Sequence, residues 1–175
     1  DHSGNVSLFT RNFPNIKIYL NPLTAHVMRN PIRICERMKF LMGKRYPEEF
    51  SDEVRPISNK FLVPTHENMK IKFGDSYIQV INTPGHSPDH ISFYEMSTKT
   101  LFSGDAIGQV YESVIPYRSI VSFPSMCSPQ YFNQTLQKIR QLNPKRIAVA
   151  HFGFVKNVQN HLDQCQYFYD EYQKL

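Results

Sequence analysis

Thr83-Pro84-Gly85-His86-Ser87-Pro88-Asp89-His90, followed by Leu101-Phe102-Ser103-Gly104-Asp105, is the stretch on which the reading of this chain turns. Ahead of the first motif, Tyr77-Ile78-Gln79-Val80-Ile81 runs as a strand, and a turn at Gly74-Asp75 joins it to the alternating Met69, Ile71 and Phe73. Gly85 allows a sharp backbone turn, so the His86 imidazole can project from the strand end. The second motif repeats this logic: Ile91-Ser92-Phe93-Tyr94 and Thr100-Leu101-Phe102-Ser103 bracket a turn at Ser97-Thr98-Lys99, and Gly104 then delivers Asp105. A third strand, Arg146-Ile147-Ala148-Val149-Ala150, is nearly all apolar, as buried strands are, and stops at His151. Core packing does not require three strands to finish in a metal-ligand residue type.

The surrounding sequence supplies helices. Ile16, Ile18 and Leu20 alternate with Lys17 and Tyr19 in a short strand, and Asn21-Pro22 and Asn30-Pro31 each place a capping side chain before a first-turn proline. The spacing predicts a helix over 31–42, with Ile34, Met38, Leu41 and Met42 buried and Gly43 as its stop. Residues 44–63 read as a polar connection and 108–127 as an irregular segment, whose Tyr111, Tyr117, Arg118 and Phe123 are placed at a cleft mouth. Ser128-Pro129 opens a helix with the stripe Phe132, Leu136 and Ile139, and the last helix carries Val158, Leu162, Cys165, Tyr169 and Tyr172. Helices on strands in this order form a layered α/β protein.

Composition narrows the class. The 175 residues hold 20 Lys and Arg against 15 Asp and Glu, a net charge of +5, and are 41% hydrophobic, an ordinary globular balance. No run approaches the ~20 apolar residues of a membrane span. Arg29, Arg33 and Arg37, four apart, form a basic stripe on a helix. A solvated helix face outweighs a nucleic-acid surface there, because stacking aromatics are not interleaved. Cys35, Cys127 and Cys165 show no pairing pattern, which favours a reducing, cytoplasmic setting.

With these motifs in order, the chain resembles the metallo-β-lactamase-fold hydrolase superfamily, in its glyoxalase II-like branch. Asp1-His2-Ser3-Gly4 is similar to the tail of that family's His-x-His-x-Asp-His-x-Gly signature. The resemblance implies a four-layer αββα sandwich, represented here by roughly its C-terminal two-thirds as one domain over residues 1–175. It implies two divalent metal ions: His86 on the first, Asp105 bridging both, and Asp1, His2 and His151 on the second. Zinc comes first, and iron or manganese accepts the same donors. Asp1 is also the catalytic residue, orienting a metal-bound hydroxide for attack on an ester-like bond of a small molecule, with a thioester or other small acyl compound foremost. His90 is either a group orienting a ligand or a structural histidine, and His26, His66 and His161 are surface bystanders.

The family's first two histidines have no counterpart in these residues, which leaves His86 and Asp105 as two ligands where zinc takes three or four. The expectation is therefore that an additional N-terminal segment completes the site, and that the 175 residues alone are inactive and expose apolar faces. A homodimer remains open. The alternatives are a nuclease of the same superfamily, an iron-dependent persulfide oxygenase, and a non-catalytic binding protein with a degraded site.

Overall fold

The computed structural model describes residues 6–46, 54–111, 117–119, 129–151, 153–155 and 157–174. Asp1 and His2 of the expected ligand set, with Phe123 and Cys127, lie outside them. The chain divides into two units, Asp1–Thr65 and His66–Leu175.

The first unit contains α1 (Val6–Asn12), β1 (Ile18–Leu20), α2 (Pro22–Arg29), α3 (Ile32–Met42), a single 3-10 turn (Gly43–Arg45) and β2 (Leu62–Pro64). Strands β1 and β2 pair in parallel. Leu20, Ala25, Met28, Ile57, Phe61 and Leu62 pack together as a small core. Asn21 caps α2 as expected, accepting from the Leu23 amide, with Pro22 at the start of the helix.

Four expectations for this unit are corrected. Pro31 rather than Asn30 precedes α3, with no side-chain cap. The chain breaks between α2 and α3, so Arg29 stands on one helix and Arg33 and Arg37 on the next; Arg29 Nε instead donates to Asn59 Oδ1 at 2.6 Å. No residue of α3 is fully buried: Ile34 and Met38 are half-buried, while Leu41 and Met42 are exposed. The expected polar connection also contributes β2 and buried Ile57 and Phe61.

The second unit holds the strand ends of interest. Its six-stranded sheet is ordered β10-β9-β6-β5-β4-β3, built from β3 (Lys70–Phe73), β4 (Ser76–Asn82), β5 (Ile91–Glu95), β6 (Thr100–Gly104), β9 (Arg146–Val149) and β10 (Phe154–Val155). Neighbours are antiparallel except β6 and β9, which run in parallel. A parallel pair requires a crossover, and α4 (Pro129–Leu142) lies between these two strands in the chain. Helix α5 (Val158–Tyr172) follows β10. Within the expected irregular segment, Gln109–Tyr111 (β7) and Tyr117–Ser119 (β8) pair as an antiparallel ribbon.

One sheet face packs on the helices. Ile81, Tyr94, Leu101, Ile147, Val149 and Val155 join Phe132, Leu136 and Ile139 of α4 and Leu162, Cys165 and Tyr169 of α5 in one core. The Phe132 and Tyr169 rings stack at 4.5 Å and tie the helices together. The expected stripes are thus the buried ones, except Val158, which is partly buried, and Tyr172, which is exposed. On the opposite sheet face the register aligns Phe93, Phe102, Ala148 and Phe154. Phe102 and Phe154 are 47% and 57% exposed, and Arg146 lies over the Phe154 ring.

Glu95 secures the β5–β6 hairpin. Its carboxylate accepts from the hydroxyls of Ser76, Ser97 and Thr98 and from the amides of Ser97 and Thr98. The Ser76 hydroxyl bond, followed by those from Thr98, holds its pKa well below the ordinary 4.5. A carboxyl depressed in the folded state stabilises the fold above its unfolded pKa, and that contribution disappears as pH falls through the folded value. Glu95→Gln is expected to lower the melting temperature at pH 7, with the gap to wild type closing as pH falls below about 4.5. Thermal melts of both proteins from pH 7 to 3 check this; a pH-independent gap would show that the carboxylate charge plays no part.

Candidate metal centre

The sequence places His86 just beyond β4, Asp105 just beyond β6 and His151 two residues beyond β9. Strands β6 and β9 are parallel neighbours, so their C-terminal ends lie side by side. This brings Asp105 and His151 together: Asp105 Oδ1 stands 3.6 Å from His151 Nε2. The carboxylate is only 3% exposed, whereas the imidazole is 39% exposed and reaches solvent.

That separation suits a shared cation. It is too long for a good hydrogen bond, while two donors on one tetrahedral cation at ~2.1 Å each stand ~3.4 Å apart. A buried carboxylate oxygen facing an imidazole nitrogen at this spacing, with hard and borderline donors combined, fits a divalent metal such as zinc. Among the described residues no set of three or more His, Cys, Asp or Glu side chains is gathered closely enough to enclose an ion. The structure therefore joins two of the five expected ligands, sets His86 beside His90 with ring centroids 6.1 Å apart, and does not describe Asp1 or His2.

The loop that carries His86 is held from behind. Helix α4 grips the His86 loop: the Thr135 hydroxyl donates to the Pro84 carbonyl, and Lys138 Nζ donates to the Asn82 carbonyl at 2.7 Å. Lys138 also pairs with Glu67 at 3.1 Å, and Glu67 Oε2 accepts from the Asn82 amide. Gly85 packs against Phe132, so a Cβ there would lie 3.5 Å from the Phe132 Cα and ring.

His90 occupies the gap between the two motifs. Its Nδ1 bonds Thr83 Oγ1 at 2.9 Å, and the Thr83 hydroxyl also bonds Ser92 Oγ, which donates to the Ser103 carbonyl. The far side of its ring lies over Gly104, where a Cβ would fall 2.6 Å from Nε2. These contacts tie the His90 ring to the start of the His86 loop through Thr83 and to the Asp105 loop through Gly104.

His26 and His66 are exposed, as expected, but His161 is not a surface residue. It is fully buried on α5, with Nε2 3.0 Å from the Ile107 carbonyl. The signal was present: His161 lies three residues after Val158 and four before Cys165, on the same helical face as the apolar stripe.

The family model described as the metallo-beta-lactamase superfamily matches residues 1–151. This chain belongs to the metallo-beta-lactamase superfamily. A hydroxyacylglutathione hydrolase of Legionella pneumophila (strain Paris) is 21% identical over 166 residues, covering 87% of this chain and 53% of the relative. The crystal structure of an archaeal metallo-beta-lactamase superfamily protein from Sulfolobus tokodaii superposes with a TM-score of 0.72 at 20% identity, covering 94% of this chain and 63% of that one. A chemotaxis sensor, solved as a peroxy diiron species, superposes with a TM-score of 0.60 at 22% identity, covering 93% of this chain and 64% of the sensor.

These superpositions place the chain in the α/β sandwich fold of the metallo-beta-lactamase superfamily. Hydroxyacylglutathione hydrolases are among the relatives it is similar to, and a chemotaxis sensor shares its fold. The chain spans about half the length of the hydroxyacylglutathione hydrolase it matches. No helix among the described residues is long and apolar enough to cross a membrane.

Proposed function

We propose that the protein hydrolyses an ester-like bond in a small molecule, with a thioester or another small acyl compound as the substrate class. The observation that carries this reading is the buried Asp105 carboxylate 3.6 Å from His151 Nε2 at the ends of two adjacent parallel strands. In this reading two divalent cations are held, zinc foremost, with His86 on the first, Asp105 on both, and Asp1, His2 and His151 on the second. An iron pair is the variant supported by the diiron sensor. Bound in such a site, divalent cations lower the pKa of water towards about 7 and polarise a carbonyl oxygen.

The residues of the chain do the rest. Asp105, buried at its strand end, would supply carboxylate oxygens to the cations. His151, half-exposed, would supply an imidazole nitrogen at the solvent side, and Asp1 would orient the attacking water. His86 and Asp105 alone fall short of the three or four ligands a tight cation requires, so the proposal includes further ligands from protein outside these residues. A reducing, cytoplasmic setting is part of this reading, because the spacing of Cys35, Cys127 and Cys165 shows no pairing pattern.

The decisive experiment uses the full natural polypeptide. Its metal content is measured, and hydrolysis of a panel of small thioesters and esters is followed before and after stripping with a chelator. Stripping is expected to abolish hydrolysis and re-addition of zinc or iron to restore it. Hydrolysis that survives complete removal of metal would sink the reading.

A further inference from the structure

The buried His161 has no part in the proposed chemistry, yet it bonds the loop that carries Asp105. After β6 the chain turns tightly: the Ala106 amide donates to the Ser103 carbonyl, and the Gly108 amide donates to the Asp105 carbonyl. Ala106 and Ile107 are buried at 1% and 0% exposure, which directs the Ile107 carbonyl into the helical layer. A buried carbonyl in an irregular turn has no strand partner of its own and must find donors elsewhere. Two donors from successive turns of α5 reach it: His161 Nε2 at 3.0 Å and Cys165 Sγ at 2.8 Å.

A carbonyl can only accept, so Nε2 of His161 carries the ring proton. The Sγ and Nε2 atoms are 3.6 Å apart because both converge on one oxygen. Both side chains are fully buried in the sheet–helix core, so neither can leave without opening it.

We propose that His161, assisted by Cys165, is a positioning residue that fixes the Asp105 loop from below and sets the direction of its carboxylate toward His151. This rests on the reading of Asp105 as a metal ligand. The two ligand loops are then each anchored by a different helix: α4 holds the His86 loop through Thr135 and Lys138, and α5 holds the Asp105 loop through His161 and Cys165. Because Phe132 and Tyr169 bind the helices to each other, the spacing between the loops is fixed by the helical layer. Groups that orient a ligand from behind typically alter metal affinity about 10- to 100-fold when removed.

The test compares His161→Leu, which removes the donor, with His161→Gln, which retains an N–H donor, in the full natural polypeptide. Two quantities are read: amide hydrogen exchange at Ala106 and Gly108 in metal-free protein, and zinc affinity by chelator competition. His161→Leu is expected to speed exchange at both amides and to weaken zinc about 10- to 100-fold, with His161→Gln restoring both. A folded His161→Leu protein with wild-type exchange and wild-type zinc affinity would overturn the proposal, even if it melted at a lower temperature. Should His161→Leu fail to fold, Cys165→Val removes one donor at similar volume, and unchanged exchange at Gly108 would overturn it equally. If the wild-type protein bound no zinc or iron, the hydrolase reading would fail, while the exchange measurements would still decide whether His161 holds the loop.

Discussion

Asp105→Asn is expected to abolish metal-dependent hydrolysis, lowering kcat/KM by about a thousandfold or more, and to abolish the stabilisation that metal gives the folded protein. An amide oxygen is a weaker donor to a divalent cation than a carboxylate, while the side chain keeps nearly the same shape in its buried place. Ligand binding to the folded state stabilises it by about 2.7 kcal/mol at a concentration 100 times Kd. Wild type should therefore gain melting temperature on addition of zinc, and Asp105→Asn should gain almost none. A variant that kept the full metal-induced shift would show that Asp105 is not a ligand.

How much of this site was legible depends on the physical range of the signal. His86, Asp105 and His151 were visible because each closes a strand whose period-two or continuous apolar run can be read from adjacent residues. The pairing of β6 with β9, which sets Asp105 against His151, is a contact between distant segments and leaves no local trace. Strand β2 was missed for the same reason: Leu62-Val63-Pro64 is too short to show a period, and its partner β1 lies far upstream. The α4 stripe of Phe132, Leu136 and Ile139 was readable because burial repeats with the helical turn.

Two misreadings had the opposite character, where a local pattern was present but misassigned. Arg29, Arg33 and Arg37 fit a four-residue spacing, yet Pro31 lies between the first two and the helix restarts there. The broken stripe removes the alignment that had supported a nucleic-acid surface. His161 fits the α5 core face by spacing, but its polarity suggested the surface. Burial of a histidine is tolerated when its N–H meets an acceptor, and the Ile107 carbonyl, a residue far away in sequence, provides one. Apolar spacing on a helix is therefore a better guide to burial than residue polarity wherever a turn elsewhere needs a donor.

Gly104→Ala should be the most damaging single-methyl change in the second unit, at about 1.5–3.5 kcal/mol of folding stability. Two costs add. The backbone at Gly104 has φ of +56°, a left-handed conformation that costs an L-residue roughly 1–2 kcal/mol. The new Cβ would also sit 2.6 Å from His90 Nε2 and 3.0 Å from its Cε1, inside any acceptable contact. The His90 ring cannot simply swing aside, because Nδ1 is bonded to Thr83 and losing that bond costs about 0.5–1.5 kcal/mol more. The double variant Gly104→Ala with His90→Ala separates the terms. Removing the ring abolishes the clash but leaves the backbone strain, so the double variant should be less destabilised than the sum of the two single changes. Denaturant unfolding of the four proteins measures this coupling, and strict additivity would mean that His90 does not occupy the space above Gly104. The functional consequence follows from the same geometry: Gly104 immediately precedes Asp105, so a backbone displaced to relieve the clash carries the carboxylate away from His151. Metal affinity should then fall together with stability in Gly104→Ala, and the double variant should be relieved of the clash without regaining affinity, since it has lost the ring that ties the His86 and Asp105 loops together.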